Sequence, residues 1–236
     1  MESGDPSPEP SSGETPRVTG EALQPPAGEE GSAPARMEPE TPLVVILGTS
    51  LTEGYGLAEP GRQAWPARLA AEAERRGQAI EVRNAGLSGE TSAGALRRVG
   101  WVLDRPPALF VLETGANDGL RGLPTDELEG NLDAIFSEVR ASAPDAHLAL
   151  AGMEAPPNFG REYVDRYRAV FSRVAERWDA TLIPFLLEGV AGDPALNQAD
   201  GIHPTAEGHR VMAETAWEAL GDLILTLEPG EEAVRP

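Results

Sequence analysis

The strongest constraint in this sequence is an alternation. From residue 43 onward, short β-rich runs appear at Leu43–Leu47, Ile80–Val82, Leu109–Leu112, His147–Leu150 and Thr181–Ile183, each followed by Gly, Pro, Asn or Ser. Helical patterns fill the gaps. Trp65, Leu69 and Ala73 recur every fourth residue, and Leu96, Val99 and Leu103 do much the same. Leu128, Leu132, Ile135, Phe136 and Val139 form one apolar stripe, and Tyr163, Tyr167, Val170, Phe171, Val174 and Trp178 form another. A last helix is expected over about Ala206–Leu225, with Thr205 as its N-cap. Strands alternating with helices imply a parallel sheet covered on both faces and reached by right-handed crossovers. No internal repeat is visible.

Residues 1–42 are different. They hold nine prolines, five glycines and five serines, with nine acidic residues against two arginines, a net charge of −7. Such a segment buries too little apolar surface to offset its ordering entropy, so it is expected to be a disordered acidic tail. It has neither a basic n-region nor an apolar h-region, which leaves the chain cytoplasmic at face value. Two accounts of the tail stay open: translation starting at Met37, or a solvated linker to an export signal or lipid anchor further upstream. The ordered domain is expected over residues 43–225, with 226–236 as a C-terminal tail.

Composition removes whole classes of chemistry. The 236-residue chain has no cysteine and no lysine, so its 19 basic residues are all arginine. Schiff bases, Ser-Lys dyads and Walker-A phosphate binding all need a lysine amine. Thiolate nucleophiles, disulfides and cysteine-ligated zinc need cysteine. With three histidines, a His-rich metal site is not expected. A formal net charge of −20 argues against nucleic acid and anionic membranes as partners. No run approaches the roughly 20 apolar residues of a membrane span. The acidity fits either a high-salt habitat or a GC-rich coding bias. Oligomeric state is not written in the sequence.

In an open parallel sheet, ligands bind beyond the carboxyl ends of the strands. That rule selects Gly48-Thr49-Ser50-Leu51-Thr52 after the first strand and Asn84–Ser92 after the second. It also selects Thr114-Gly115-Ala116-Asn117-Asp118 after the third. Asp200-Gly201-Ile202-His203-Pro204 precedes the last helix. A serine hydroxyl attacks only when a base accepts its proton. His147 opens a strand pattern and His209 lies one turn inside the last helix. His203 alone stands in a loop with a carboxylate, Asp200, three residues away. Asp200 can hold the imidazole tautomer while the other ring nitrogen faces Ser50. The N–H groups of Ser50 and Gly89 and the side-chain amide of Asn117 are candidate donors to an oxyanion.

Taken singly, each residue has a plainer role. Ser50 reads as a helix cap, His203 as a turn residue, Asp200 as a solvated acid, Gly89 as a positive-φ glycine, and Asn117 as an Asx-turn. Trp65 and Trp178 read as core. Four loops on one rim, each carrying a different part of an acyl-transfer site, argue against coincidence. Gly48 to Gly56 has phosphate-loop spacing without a lysine, and G-x-S-x-G is missing.

These blocks, Gly48-Thr49-Ser50-Leu51, Asn84-Ala85-Gly86 with Ser88-Gly89, Gly115-Ala116-Asn117-Asp118 and Asp200-Gly201-Ile202-His203-Pro204, resemble those of the SGNH/GDSL hydrolases over roughly residues 43–225. Asn117–Gly122, Ala64-Trp65-Pro66 and Pro157-Asn158-Phe159-Gly160 resemble the thioesterase I / lysophospholipase L1 / arylesterase branch. The resemblance implies a flavodoxin-like three-layer α/β/α sandwich with five parallel strands in the order 2-1-3-4-5. It implies Ser50 as nucleophile, His203 as general base and acid, Asp200 as its orienting group, and Ser50, Gly89 and Asn117 as the oxyanion hole. It implies a small-molecule ester as substrate and no metal or organic cofactor. The family's first block usually carries an acidic residue where this chain has Thr49, whose expected role is support of the loop. Leu51, Leu120, Phe159 and Ile202 are candidate substrate contacts. The alternatives are a carbohydrate O-deacetylase on the same fold and a catalytically inactive acyl- or carbohydrate-binding module.

Overall fold

The computed structural model of the protein describes residues 41–228. The acidic tail expected over 1–42 lies almost wholly outside the described residues, as does most of the expected C-terminal tail. Five strands, β1 (Leu43–Gly48), β2 (Glu81–Gly86), β3 (Leu109–Leu112), β4 (His147–Ala151) and β5 (Thr181–Ile183), form one sheet in the order β2-β1-β3-β4-β5. All four pairings are parallel, as the strand–helix alternation requires.

The central strands are apolar because both their faces are covered. Val44, Val45, Ile46 and Leu47 of β1 are buried, as are Leu109, Phe110, Val111 and Leu112 of β3. Each contributes on the order of 2 kcal/mol through removal from water. One covering layer is α3 (Trp65–Arg75) against α8 (Ala206–Ile224). The other is α4 (Ser92–Val102), α6 (Thr125–Ser142) and α7 (Arg161–Trp178), packed side by side. The stripe predicted on α6, from Leu128 to Val139, is buried along its length. Trp65 is fully buried and Trp178 partly so. Polar clasps join α6 to α7: Arg173 and Arg177 meet Glu129 at 2.5 and 2.8 Å, and Trp178 Nε1 donates to Asp133 at 2.8 Å. Thr205 caps α8 by accepting from Gly208 N, as expected.

The second strand differs from expectation. Asn84-Ala85-Gly86 belongs to β2 rather than to the loop after it, with Asn84, Ala85 and Gly86 paired to Ile46, Leu47 and Gly48. β2 is an edge strand with half-exposed residues, so its polar end carries no apolar signal. Its limits are set by β1 beside it. Two of the predicted loops also wind into short helices, α1 (Ser50–Glu53) and α5 (Ala116–Leu120), while α2 (Pro60–Gln63) leads into α3. Among the described residues, no helix is long and apolar enough to cross a membrane.

Candidate active site

The carboxyl ends of β1, β2 and β3 meet at Ser50. Thr49 is the N-cap of α1, so the chain turns sharply out of β1 with Ser50 as the first helical residue. Gly48 permits the turn, because a Cβ there would lie 2.1 Å from Thr52 Oγ1 and 2.7 Å from Glu113 Oε2. Ser50 is 8% exposed, and its hydroxyl lies 3.0 Å from His203 Nε2. The other ring nitrogen, Nδ1, lies 2.7 Å from Asp200 Oδ2. Asp200 Oδ1 also accepts from the backbone N–H groups of Ile202 and His203, at 2.9 and 3.0 Å. The His203 side chain first, then these two N–H groups, hold the Asp200 carboxyl well below the usual carboxylate range. An ionised Asp200 accepts a hydrogen bond from Nδ1–H and so leaves Nε2 free to accept from Ser50. Ser50 and the distant pair Asp200 and His203 thus form one hydroxyl–imidazole–carboxylate relay.

Two other residues steady the imidazole. Tyr55 packs on it with ring centroids 4.6 Å apart and a tilt of 44°. Gln198 donates from Nε2 to the carbonyls of Tyr55 and Pro204, at 2.8 and 3.0 Å, and its own N–H donates to the His203 carbonyl at 2.7 Å. The other histidines stand apart. His147 is exposed at the start of β4. His209 is buried, and its Nδ1 accepts from Trp65 N at 3.3 Å. Burial first, and the nearby Arg68 charge second, push the His209 imidazole down to about 4.

The loop after β2 is clasped from two sides. Glu53 Oε2 accepts from Ser88 N at 2.9 Å and from the Ser88 hydroxyl. Arg98 bridges Glu90 at 2.6 Å to the carbonyls of Ala85 and Gly48, at 2.8 and 3.1 Å. Gly89 has φ +77°, a conformation that disfavours any other residue there. Asn117 uses one amide hydrogen on the carbonyl of Glu90, at 2.9 Å. Its second amide hydrogen is free for a ligand. Asp118 turns away from Ser50 and instead accepts from Ser92 N and Ser92 Oγ, at 2.9 and 2.6 Å, at the start of α4.

A cavity of about 660 Å³ opens beside Ser50 and His203, a size suited to a small organic ligand. Leu51, Leu120 and Ile202 line it, together with Asn117. Phe159 does not. It packs on Tyr163 at 5.4 Å between ring centroids and against Gly122, outside the lining. Its place comes from the short 3-10 turn Pro157–Phe159, which directs Pro157 rather than Phe159 to the cavity. The sequence reading also missed the far wall. Met153, Ala155 and Pro156 follow β4, and Phe185, Leu187 and Glu188 follow β5. The strand-exit rule applies to those segments as well, and would have found them. Glu113 had no such signal. It is fully buried just past β3 and bonds to Thr49 and Thr52 beneath the Ser50 turn. Among the described residues, no group of three or more His, Asp or Glu is placed to hold a metal ion.

Comparison with known proteins points in one direction. Residues 46–211 match the model of the GDSL-like lipase/acylhydrolase family. Esterase TesA of Pseudomonas aeruginosa is 37% identical over 182 residues, covering 77% of this chain and 89% of that protein. Thioesterase 1/protease 1/lysophospholipase L1 of Escherichia coli (strain K12) is 34% identical over 182 residues, covering 77% and 84%. The crystal structure of the psychrotrophic esterase EstA from Pseudoalteromonas, inhibited by monoethylphosphonate, superposes with a TM-score of 0.71. It is 32% identical, covering 77% of this chain and 98% of that one. On that match and those relatives, this chain is a serine ester hydrolase and belongs to the GDSL-like lipase/acylhydrolase family.

Proposed function

We propose that Ser50 is the nucleophile of this esterase, with His203 as general base and then general acid and Asp200 as the group that orients it. The observation that carries the assignment is the unbroken relay, 3.0 Å from Ser50 Oγ to Nε2 and 2.7 Å from Nδ1 to Asp200. In the first step Ser50 Oγ attacks the ester carbonyl while Nε2 takes its proton. The imidazolium, stabilised by Asp200, then protonates the departing alcohol, and an acyl-enzyme remains. Water repeats the sequence, with Nε2 again accepting the proton, and releases the acid. Negative charge on the carbonyl oxygen meets the N–H groups of Ser50 and Gly89 and the free amide hydrogen of Asn117. A donor of this kind is worth about 3 kcal/mol of the barrier.

The acyl group lies along the apolar part of the cavity, against Leu51, Leu120 and Ile202. A cavity of about 660 Å³ suits aryl esters and short-to-medium acyl esters. Thioesters and lysophospholipids are the further substrates that the name of the Escherichia coli relative suggests. The catalytic unit spans residues 43–225.

The test is hydrolysis of p-nitrophenyl butyrate by Ser50→Ala. Turnover falls by about 10⁴-fold or more while the far-UV circular dichroism stays that of the wild type. A variant with wild-type rates overturns the assignment. A fluorophosphonate probe separates the enzyme from an inactive binding module, because only an activated serine is labelled. An acetylated sugar hydrolysed faster than any aryl or acyl ester would favour the O-deacetylase instead.

A further inference from the structure

Glu113 is a carboxyl group enclosed beneath the turn that carries Ser50. Strand register brings it there: Leu47 pairs with Leu112, and Glu113 N donates to the Leu47 carbonyl at 2.8 Å. Its oxygens take three donors. Thr49 N–H and Thr52 O–H reach Oε2 at 2.9 and 2.8 Å, and Thr49 O–H reaches both oxygens at 3.0 and 3.1 Å. Thr49 and Thr52 bracket Ser50 on either side, and both are fully buried. The Thr49 hydroxyl also accepts from Leu51 N at 3.5 Å, so its own hydrogen is committed to Glu113.

We propose that Glu113 is a positioning residue for the nucleophile: its carboxylate, gripping Thr49 and Thr52, fixes the backbone on both sides of Ser50, and a proton on Glu113 loosens that grip and slows the reaction. This rests on Ser50 being the nucleophile. The physical reason is a count of hydrogens. A carboxylate accepts all three donors. A carboxylic acid must itself donate, and the acceptors within reach are the two threonine hydroxyl oxygens. One hydroxyl then loses its acceptor in a site closed to bulk solvent. Thr49 suits the arrangement, because an acidic side chain there would set two carboxyl groups against each other.

Burial pushes the Glu113 carboxyl up to about 7, against the pull of the backbone and side chains of Thr49 and Thr52. The other ionisable groups around the loop are few. Tyr167 of α7 donates to the Gly115 carbonyl at 2.7 Å, and burial holds it neutral, with its pKa well above 10. Asp118 of α5 is tied to Ser92. Arg98 of α4, paired with Glu90, reaches the Gly48 carbonyl. Glu53 of α1 is bonded to Ser88.

The experiment measures kcat and KM for p-nitrophenyl butyrate from pH 5 to 9 in the wild type, Ser50→Ala, Glu113→Gln and Thr52→Val. The wild-type kcat falls toward acid more steeply than that of Glu113→Gln, because Glu113 takes a proton there. Glu113→Gln lowers kcat at pH 8 by about tenfold, the scale of a slightly misplaced nucleophile. Its KM is unchanged and its acid limb becomes shallower than the wild type's. Thr52→Val removes one donor from the carboxylate, so the Glu113 protonation moves to higher pH. A Glu113→Gln enzyme with wild-type kcat and the wild-type acid limb overturns the proposal. Should Glu113→Gln fail to fold, the Thr52→Val limb decides, and an unmoved limb overturns it. An active Ser50→Ala sinks the nucleophile assignment itself. An inactive Ser50→Ala beside an unchanged Glu113→Gln sinks only the role of Glu113.

Discussion

Ser50 and His203 face each other across 3.0 Å, yet the two ends of the relay are held by opposite means. His203 is held locally. Asp200 is three residues away and binds both its ring nitrogen and its backbone N–H, and Gln198, five residues away, anchors its carbonyl. That loop is exposed, and Asp200 keeps its charge through hydrogen bonds rather than through shielding. Ser50 is held from a distance. The group beneath it, Glu113, is more than sixty residues further along the chain and fully buried. One end is held chiefly by its own turn, with Tyr55 packed over the ring, and the other exists only once the sheet has formed. A turn that carries its own carboxylate tolerates water. The turn that carries Ser50 rests instead on a carboxyl enclosed in the core.

The difference can be tested from its strongest consequence downward. Asp200→Asn removes the acceptor that fixes the imidazole tautomer, and kcat should fall by about 10⁴-fold with little change in thermal midpoint, because the loop is exposed. A large loss of stability in that variant would show the base end to be as structural as the nucleophile end.

The next consequence concerns stability against pH, where two buried ionisable groups, Glu113 and His209, have opposite signs. The Glu113 carboxyl is raised from its ordinary 4.5 to about 7. Its contribution is therefore fully present below pH 4.5 and is lost as pH rises through 7. That is about 3 kcal/mol at one pK unit per 1.4 kcal/mol. The His209 imidazole is lowered from its ordinary 6.5 to about 4. Its contribution is present above pH 6.5 and is lost as pH falls through 4, by a similar ~3 kcal/mol. Between pH 4.5 and 6.5 the two slopes oppose, so the wild-type unfolding free energy should be nearly flat there. Glu113→Gln should lose stability toward acid across this window. His209→Asn, which keeps an acceptor for Trp65 N, should gain it. Urea midpoints at four pH values would check this, and two parallel profiles would refute it.

The smallest effect belongs to Gln198→Ala. Loss of its donors to Tyr55 and Pro204 loosens the His203 loop without touching the reacting atoms. About 1 kcal/mol per hydrogen bond corresponds to a kcat roughly fivefold lower, read with p-nitrophenyl butyrate. A drop as large as that of Asp200→Asn would erase the distinction between anchoring the loop and orienting the ring.

The parts of the site that were legible in the linear chain share one property: their signals are local. Asp200-Gly201-Ile202-His203-Pro204 shows its pairing within four residues. Thr205 announces the start of α8 by its type and place. The strands β1 and β3 are apolar on both faces and so stand out at once. β2 is an edge strand whose end is polar, so pairing with β1 rather than its own residues extends it. Phe159 looked like a substrate contact on residue type alone, and the turn around it sends it elsewhere. The wall formed after β4 and β5 shows no such pairing in the linear chain, because most of its residues, such as Met153, Ala155, Pro156, Phe185 and Leu187, contribute shape rather than a reactive group.

Sequence alone determined the layered architecture, the strand exits that line the cavity and the lack of lysine and cysteine, and it pointed to Ser50, Asp200 and His203 as residues that meet. All of these follow from periodicity, residue type and short spacing. Tertiary structure alone decided that Glu113 lies under Thr49 and Thr52, that Tyr55 covers His203, and that His209 is a buried link between α3 and α8. The reason is physical. A buried carboxyl and a surface one are the same letter, and only the enclosing core settles whether its charge is solvated by water or by two threonines.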